Sequence, residues 1–304
     1  MVSLVTGVTG VLGLALVKHL AKERDVYCLV HTASARNNLL PSTDNVHVLE
    51  SNLLVNASWQ KLVVPQHIDE VYHLAWQGAR GRQSRDEVVQ LKNMQMAQEA
   101  AQFAALHGAK VFIGAGSQAE YGALDTCLRE DMVCSPDTVY GKAKLLAQQT
   151  TASIAAQYGM RHVWTRFFSL YGPYDDTRSF ISSLLRKALR NEPLALTLGL
   201  QAWDYLHVDD AAAAMVALAQ DSSATGVYNV AEGTGHTLSW YVETLVQIIG
   251  SMSERHYGAV NQGAILRHRR PDIAKIKATG IWQPRVDFAV GLKDLVHADG
   301  LRSL

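Results

Sequence analysis

The chain has 304 residues, 48% of them hydrophobic and 18% charged, enough to bury a substantial core as one large domain or two. Lys plus Arg and Asp plus Glu balance at 28 each, which excludes the strong field that gathers nucleic acid or an anionic membrane surface. Three cysteines without a C-x-x-C pair (Cys28, Cys127, Cys134) and twelve histidines without paired ligand spacing argue against a disulfide framework or a metal site, and for a reduced, cytoplasmic setting.

The first predicted strand starts at about Val2 with no basic leader before it, and the most apolar run, "AAAAMVALA" at 211–219, is too short to cross a bilayer. "SLVT" reads as a strand, "VLGLALVKHLAKE" as a helix and "VYCLV" as a second strand. "VHVLE", a short helix near "NASWQKLV" and the strand "VYHLAW" follow. Long helices are expected over 86–107 and 138–158, leading to or from the apolar strands "AKVFIGAG" and "RHVWTRFF". Short apolar strands alternating with helices predict an α/β fold with a Rossmann-type, doubly wound parallel sheet and right-handed crossovers. After Tyr171 the rhythm breaks into the turn-rich "YGPYDD", a helical stretch at 177–191, and then mixed short strands and helices. The expected organisation is a dinucleotide-binding domain over 1–168, to which 203–230 return, with 169–202 and 231–304 forming a smaller, interleaved C-terminal substrate lobe. Ligands of such sheets bind at the strand carboxyl ends.

Thr6-Gly7-Val8-Thr9-Gly10-Val11-Leu12-Gly13 follows a strand and opens a helix. In that context Gly7 suits a tight turn, Gly10 lets backbone N–H groups approach a pyrophosphate, and Gly13 lets the helix pack closely on the sheet. The usual fingerprint places an acid at the end of the second strand to hold the adenosine ribose. Here "DVYCLV" runs instead into His31, with Arg36 nearby. Neutral or cationic groups suit a 2′-phosphate, so NADP(H) is the favoured cofactor and NAD(H) the alternative.

"YGKAK" sets Tyr140 and Lys144 at i and i+4, on one side of a helical turn. A phenol titrates near pH 10, and a neighbouring ammonium and a nicotinamide cation both favour the phenolate. Lowering it by about three pH units corresponds to roughly 4 kcal/mol. Tyr140 would then exchange a proton with a carbonyl or hydroxyl oxygen, with Lys144 also reaching a ribose hydroxyl. "GAGSQAEYG" follows the strand "KVFI", which brings the Ser117 hydroxyl to a strand's carboxyl end, within reach of the same oxygen.

With these residues in place, the chain resembles an extended short-chain dehydrogenase/reductase of the nucleotide-sugar epimerase/dehydratase type. "TGVTGVLG", "VYHLAW", Asn93, Ser117, "YGKAK", "RFFSLYGP", "WDYLHVDD", "RRPD" and "GIWQP" occur in the family's order, over nearly the whole chain. The resemblance implies Ser117, Tyr140 and Lys144 as the catalytic triad. With His31 and Arg36 from the reading above, the expected cofactor site is drawn from Thr6, Gly7, Gly10, Val11, Leu12, Gly13, His31, Arg36, Asn52, Leu53, Leu74, Ala75, Trp76, Asn93, Tyr140, Lys144 and Tyr171. Relatives of this type commonly dimerise by pairing their two long helices, and the alanine-rich stretches here permit close packing, so a homodimer is expected.

Departures from the family narrow the reading. Dehydratases carry an Asp-Glu pair after the catalytic hydroxyl, whereas Gln118 and Ala119 follow Ser117 here. Cys127 and Cys134 lie beyond the serine loop and are read as packing or loop residues. Trp203 stands where many relatives have an arginine that grips the substrate diphosphate, and Ser169 replaces a common asparagine. The substrate-binding set is therefore Ser117, Gln118, Ser169, Arg178, Trp203 and Arg270, with Arg267 a further cation. The leading expectation is NADPH-dependent reduction of a nucleotide-activated 4-keto-6-deoxy sugar. The alternative is an NAD-dependent nucleotide-sugar 4-epimerase. A rival of another class is a non-catalytic sensor of the nicotinamide ratio, disfavoured because such proteins tend to lose the tyrosine or lysine.

Overall fold

The computed structural model describes residues 1–31, 34–55, 58–261 and 270–298. The chain begins with β1 (Val2–Thr6), α1 (Val11–Leu20), β2 (Asp25–Val30), β3 (Val46–Glu50) and β4 (Glu70–His73). Then come α2 (Glu87–Leu106), β5 (Val111–Ser117), β6 (Cys127–Leu128), α3 (Val139–Gln157) and β7 (Arg161–Phe167). β8 (Ser169–Tyr171), α4 (Phe180–Leu189), β9 (Leu194–Leu196), β10 (Ala202–Trp203), β11 (Tyr205–His207) and α5 (Val208–Gln220) follow. The remainder comprises β12 (Gly226–Val230), β13 (His236–Thr237), α6 (Leu238–Ile249), β14 (Arg255–Tyr257), β15 (Arg270–Pro271), α7 (Ala274–Ala278) and α8 (Phe288–Ala298).

Seven strands form one parallel sheet in the order β12-β7-β5-β4-β1-β2-β3. The chain winds outward from β1 to β3, returns to β4, and winds outward again to β12. Its direction of winding reverses between β1 and β4, the place where open α/β sheets leave a crevice beyond the strand carboxyl ends. α2 and α3 pack together on one face and α1 and α5 on the other. Burial on both faces explains the unbroken apolar run Val111-Phe112-Ile113 in β5, each residue no more than 1% exposed. Each such side chain contributes about 1.5–3 kcal/mol relative to an exposed one.

A second core gathers β8, β9, α4, α6 and α8 around Tyr171, Tyr205, Tyr241 and Phe288. β12 meanwhile returns to the main sheet beside β7. The lobe at the mouth of the crevice is thus built from segments on both sides of that returning strand.

The long helices start where their caps dictate. The Asp86 carboxylate accepts from the amides of Val88 (3.0 Å) and Val89 (3.2 Å), and the Thr138 hydroxyl from that of Gly141 (3.0 Å). Three expectations change in detail. The short helix near 56–63 is a single 3₁₀ turn at Trp59–Lys61, with residues 56 and 57 outside the described set. The helix expected from 177 begins at Phe180, because Asp176 closes the preceding turn and Ser179 supplies the cap. Cys127 lies in a strand, β6, paired with β15, because that pairing satisfies the backbone of both segments.

Candidate active site

The glycine turn joins β1 to α1 at the crevice. The Thr6 hydroxyl accepts from the amides of Leu74 (3.2 Å) and Ala75 (3.1 Å) and shares a hydrogen bond of 3.0 Å with His73 Nδ1, tying the carboxyl ends of β1 and β4 together. Gly7 has φ +71°, and a Cβ there would stand 2.6 Å from the Ala75 nitrogen. A Cβ on Gly13 would stand 2.2 Å from the Gly7 carbonyl oxygen, so only glycine lets α1 seat against its own turn. Side-chain caps close the first turns of α2 through α6, whereas α1 has none and no acid in its first turn. Its first N–H groups, at the positive end of the helix dipole, are left for an anionic ligand. This cradle fits the pyrophosphate of a dinucleotide, with Gly10, Val11 and Leu12 offering backbone; the Leu12 side chain itself is buried in the core.

β5 and α3 deliver the reacting groups. Ser117 ends β5, and its hydroxyl hydrogen-bonds Tyr140 and caps the Gln118–Glu120 turn by accepting from the Ala119 amide at 3.2 Å. Tyr140 and Lys144 both lie in the first turns of α3. The Lys144 ammonium donates to the Ala115 carbonyl at 2.7 Å and sits 3.7 Å from the centroid of the Trp76 ring. Behind Ser117, the fully buried Glu120 accepts from the Ser117 amide (2.7 Å), the Trp164 indole (3.0 Å) and Arg166 Nε (2.7 Å).

These surroundings correct one expectation. Tyr140 is not poised as a phenolate by Lys144: burial pushes its phenol up to about 12 and the Glu120 charge adds to this, while Ser117 and the Arg80 charge act downward. Burial also lowers Lys144 to about 7, with Glu120 opposing. Desolvation penalises the charged form of each and is the largest cause of both shifts.

A cavity of about 650 Å³ opens over this cluster. Ser117, Gln118, Tyr140, Lys144, Ser169, Arg178, Trp203, Trp76, Leu74 and Val11 line it, so much of the expected set converges. Within it the Trp203 indole donates to the Ser169 hydroxyl at 2.7 Å, joining two positions read separately in the sequence. Arg178 is drawn to Asp176, at 2.6 and 2.9 Å, and projects outward with 85% of its side chain exposed.

Other expected residues stand elsewhere. Arg270 is exposed on β15 beside Cys127 and is not among the residues lining this cavity, and Arg267 lies outside the described residues. Tyr171 is 1% exposed, and its side chain packs in the second lobe's core against His207 and Phe288. Asn93 is buried, and its amide group bonds both the N–H (2.8 Å) and the carbonyl (2.7 Å) of Gln77, bracing the loop after β4. His31 is exposed beyond β2, Arg36 donates to the Tyr174 carbonyl at 2.5 Å, Asn52 accepts from the Leu54 amide at 3.2 Å, and Leu53 is buried.

Three residues escaped the sequence reading. Arg80 is an exposed cation in the loop after β4 that lines the cavity, and it acts electrostatically on Tyr140. Its position just past a strand's carboxyl end was the available signal. Glu120 was signalled by Ser-x-x-Glu, the spacing of a capping box, which forms here. The buried Gln90, which holds Trp76, carried no local signal.

A model of the family described as the NAD dependent epimerase/dehydratase family matches residues 3–231. UDP-glucuronic acid decarboxylase 3 of Arabidopsis thaliana is 29% identical over 157 residues, which cover 50% of this chain and 45% of that protein, so the chain spans about half the length of this relative. An uncharacterized UDP-glucose epimerase of Bacillus subtilis, YtcB, is 23% identical over 304 residues, covering 95% of each chain. The solved structure of UDP-glucuronic acid 4-epimerase from Bacillus cereus, in complex with UDP-glucuronic acid and NAD, matches with a TM-score of 0.86 at 22% identity. That match covers 99% of this chain and 100% of the other, and is a likeness of fold.

Proposed function

The chain belongs to the NAD-dependent epimerase/dehydratase family, and from that membership we propose that it binds NAD and inverts a hydroxyl-bearing carbon of a nucleotide-diphosphate sugar. The observation that carries this reading is the cavity in which Ser117, Tyr140 and Lys144 converge beside the uncapped start of α1. Supporting it further, the relative that aligns over 95% of both chains is described as a UDP-glucose epimerase.

A nicotinamide dinucleotide held by the turn at Gly7, Gly10 and Gly13 would supply a reversible two-electron acceptor. The chain's own groups handle the proton and the geometry. Tyr140 takes the proton from the sugar hydroxyl and later returns it, while Ser117 hydrogen-bonds the same oxygen. Because burial holds the phenol near 12, positive charge must favour the phenolate during the reaction: Arg80 acts that way on Tyr140, and Lys144, one turn along α3, would add to it when protonated. Phe168, Phe180, Trp203 and Tyr205 give the cavity an aromatic wall that keeps bulk water from the reacting carbon. Gln118 and Ala119 offer no acid or base for losing water from the sugar.

The epimerase reading replaces the NADPH-dependent reduction expected from the sequence, which rested on the missing acid after β2. Arg36 donates one N–H to the Tyr174 carbonyl. A dimer through α2 and α3 would use their outward residues Val88, Leu91 and Leu146. The alanines of these helices (Ala97, Ala100, Ala101, Ala104, Ala143, Ala147) are instead buried within the chain. Among the described residues no helix is long and apolar enough to cross a membrane.

The test is to denature the purified protein, identify any nicotinamide released, and incubate the intact protein with UDP-glucose and UDP-glucuronic acid. The expected result is retained NAD together with C4 epimers, with Tyr140→Phe abolishing epimer formation while leaving the bound cofactor in place. An exchangeable site preferring NADPH, with no epimer formed, overturns it.

A further inference from the structure

Lys144 is buried, and among the described residues no carboxylate lies within ion-pair distance of it. Its ammonium is held by one carbonyl, that of Ala115 at 2.7 Å, and by the face of the Trp76 ring at 3.7 Å; the Trp164 ring is more distant at 6.0 Å. Trp76 also meets Tyr140 edge-on, with the two ring centroids 6.0 Å apart and the planes at 90°. One indole therefore touches both members of the proton-transfer pair.

The indole is itself fixed. Its Nε1 donates to Gln90 Oε1 at 2.9 Å. Gln90 is fully buried, and its amide nitrogen donates to the carbonyls of Gly78 (3.0 Å) and Gln83 (2.9 Å). With both neighbours being acceptors, the amide orientation is forced and the oxygen must face Trp76. α2 thus holds Gln90, Gln90 holds Trp76, and Trp76 holds Lys144.

We propose that Trp76 is a positioning residue for the Tyr140–Lys144 pair, its ring face standing in for a carboxylate counter-ion to the Lys144 ammonium. This rests on the reading above that Tyr140 carries the proton and that Lys144 favours its phenolate. The physical advantage lies in range. A carboxylate beside Lys144 would hold the ammonium but would also oppose the Tyr140 phenolate, as Glu120 already does. A ring carries no net charge: its quadrupole favours an ammonium in contact and fades quickly with distance. The other groups facing the pair are His73 from β4, kept neutral by burial, Glu120 and Ser117 from the end of β5, and Arg80 from the loop after β4. None of them supplies a contact counter-charge to Lys144.

The experiment follows Lys144 itself, so its outcome does not depend on which sugar, if any, is turned over. Protein carrying [13Cε]-lysine is titrated by NMR, with the Lys144 resonance assigned by Lys144→Arg, in the parent, Trp76→Leu and Trp76→Phe. Trp76→Leu should lower the Lys144 midpoint by roughly one pH unit, and Trp76→Phe by less than half as much. Site-specific replacement of Trp76 by a fluorinated tryptophan keeps the shape while weakening the ring face. It should lower the midpoint too, which keeps the test decisive if Trp76→Leu does not fold. A midpoint unchanged in all three, or raised, overturns the proposal. Release of no nicotinamide from the parent would instead count against the epimerase reading while leaving this titration interpretable.

Discussion

Replacing Glu120 by Gln asks whether the ion pair beneath Ser117 holds the site in place. The side chains of Glu120 and Arg166 are 0% and 3% exposed, and their contact at 2.7 Å is one of the links between the Ser117 turn and β7, beside the Trp164 indole. Gln keeps one acceptor oxygen. If it faces the Ser117 amide and the Trp164 indole, its NH₂ meets Arg166 donor against donor, and the buried guanidinium loses its counter-charge. Removing one partner of a buried pair costs about 3–5 kcal/mol, a large part of a typical total of about 5–15 kcal/mol. Urea unfolding followed by circular dichroism, at fixed cofactor concentration, measures the loss. The double variant Glu120→Gln/Arg166→Leu removes the orphaned charge and should recover a substantial part of it, a coupling that additive effects cannot produce. Glu120 also acts to raise both Tyr140 and Lys144, so the same variant should move the acid limb of the rate profile to lower pH. A loss within about 1 kcal/mol of zero for Glu120→Gln, or a double variant that simply sums the two single losses, would refute the reasoning.

Gly13→Ala places a methyl 2.2 Å from the Gly7 oxygen and 2.7 Å from the Val8 Cα, backbone atoms that cannot swing aside. It should cost about 1–3 kcal/mol and weaken NAD binding by calorimetry; affinity within twofold of the parent would show that the turn yields without harm. Lys144→Met tests the buried ammonium. Its folded value of about 7 lies below the unfolded 10.5, so between these the unfolded chain binds more protons and native stability rises with pH. Below pH 7 the full penalty of burying the charge is present. The stability of the parent minus that of Lys144→Met should therefore climb by roughly 1 kcal/mol per pH unit between pH 7 and 9. A flat difference means that Lys144 titrates as it does in water.

Much of the site was legible because its signals are short-range. A strand, a turn with glycines three apart and the start of a helix without a side-chain cap lie within thirteen residues, the local pattern of the proposed phosphate cradle. Asp86 and Thr138 mark where α2 and α3 start, and the i, i+4 spacing fixes Tyr140 and Lys144 on one side of α3. Tertiary structure decided what those groups meet. The register of β5 against β7 sets Ser117 beside Phe167, which leaves Glu120 over Arg166 and Trp164. The loop after β4 carries Trp76 to Lys144 across a long stretch of sequence, and Gln90 on α2 locks it there. Distant packing also drew Arg36 to the Tyr174 carbonyl and Tyr171 into the second core, contacts that no local spacing signals. Spacing along a chain determines which residue types share a helical turn or follow a strand. Only the assembled sheet and its two layers of helices determine which buried charge finds a partner, and desolvation by that packing is what set Tyr140 high and Lys144 low.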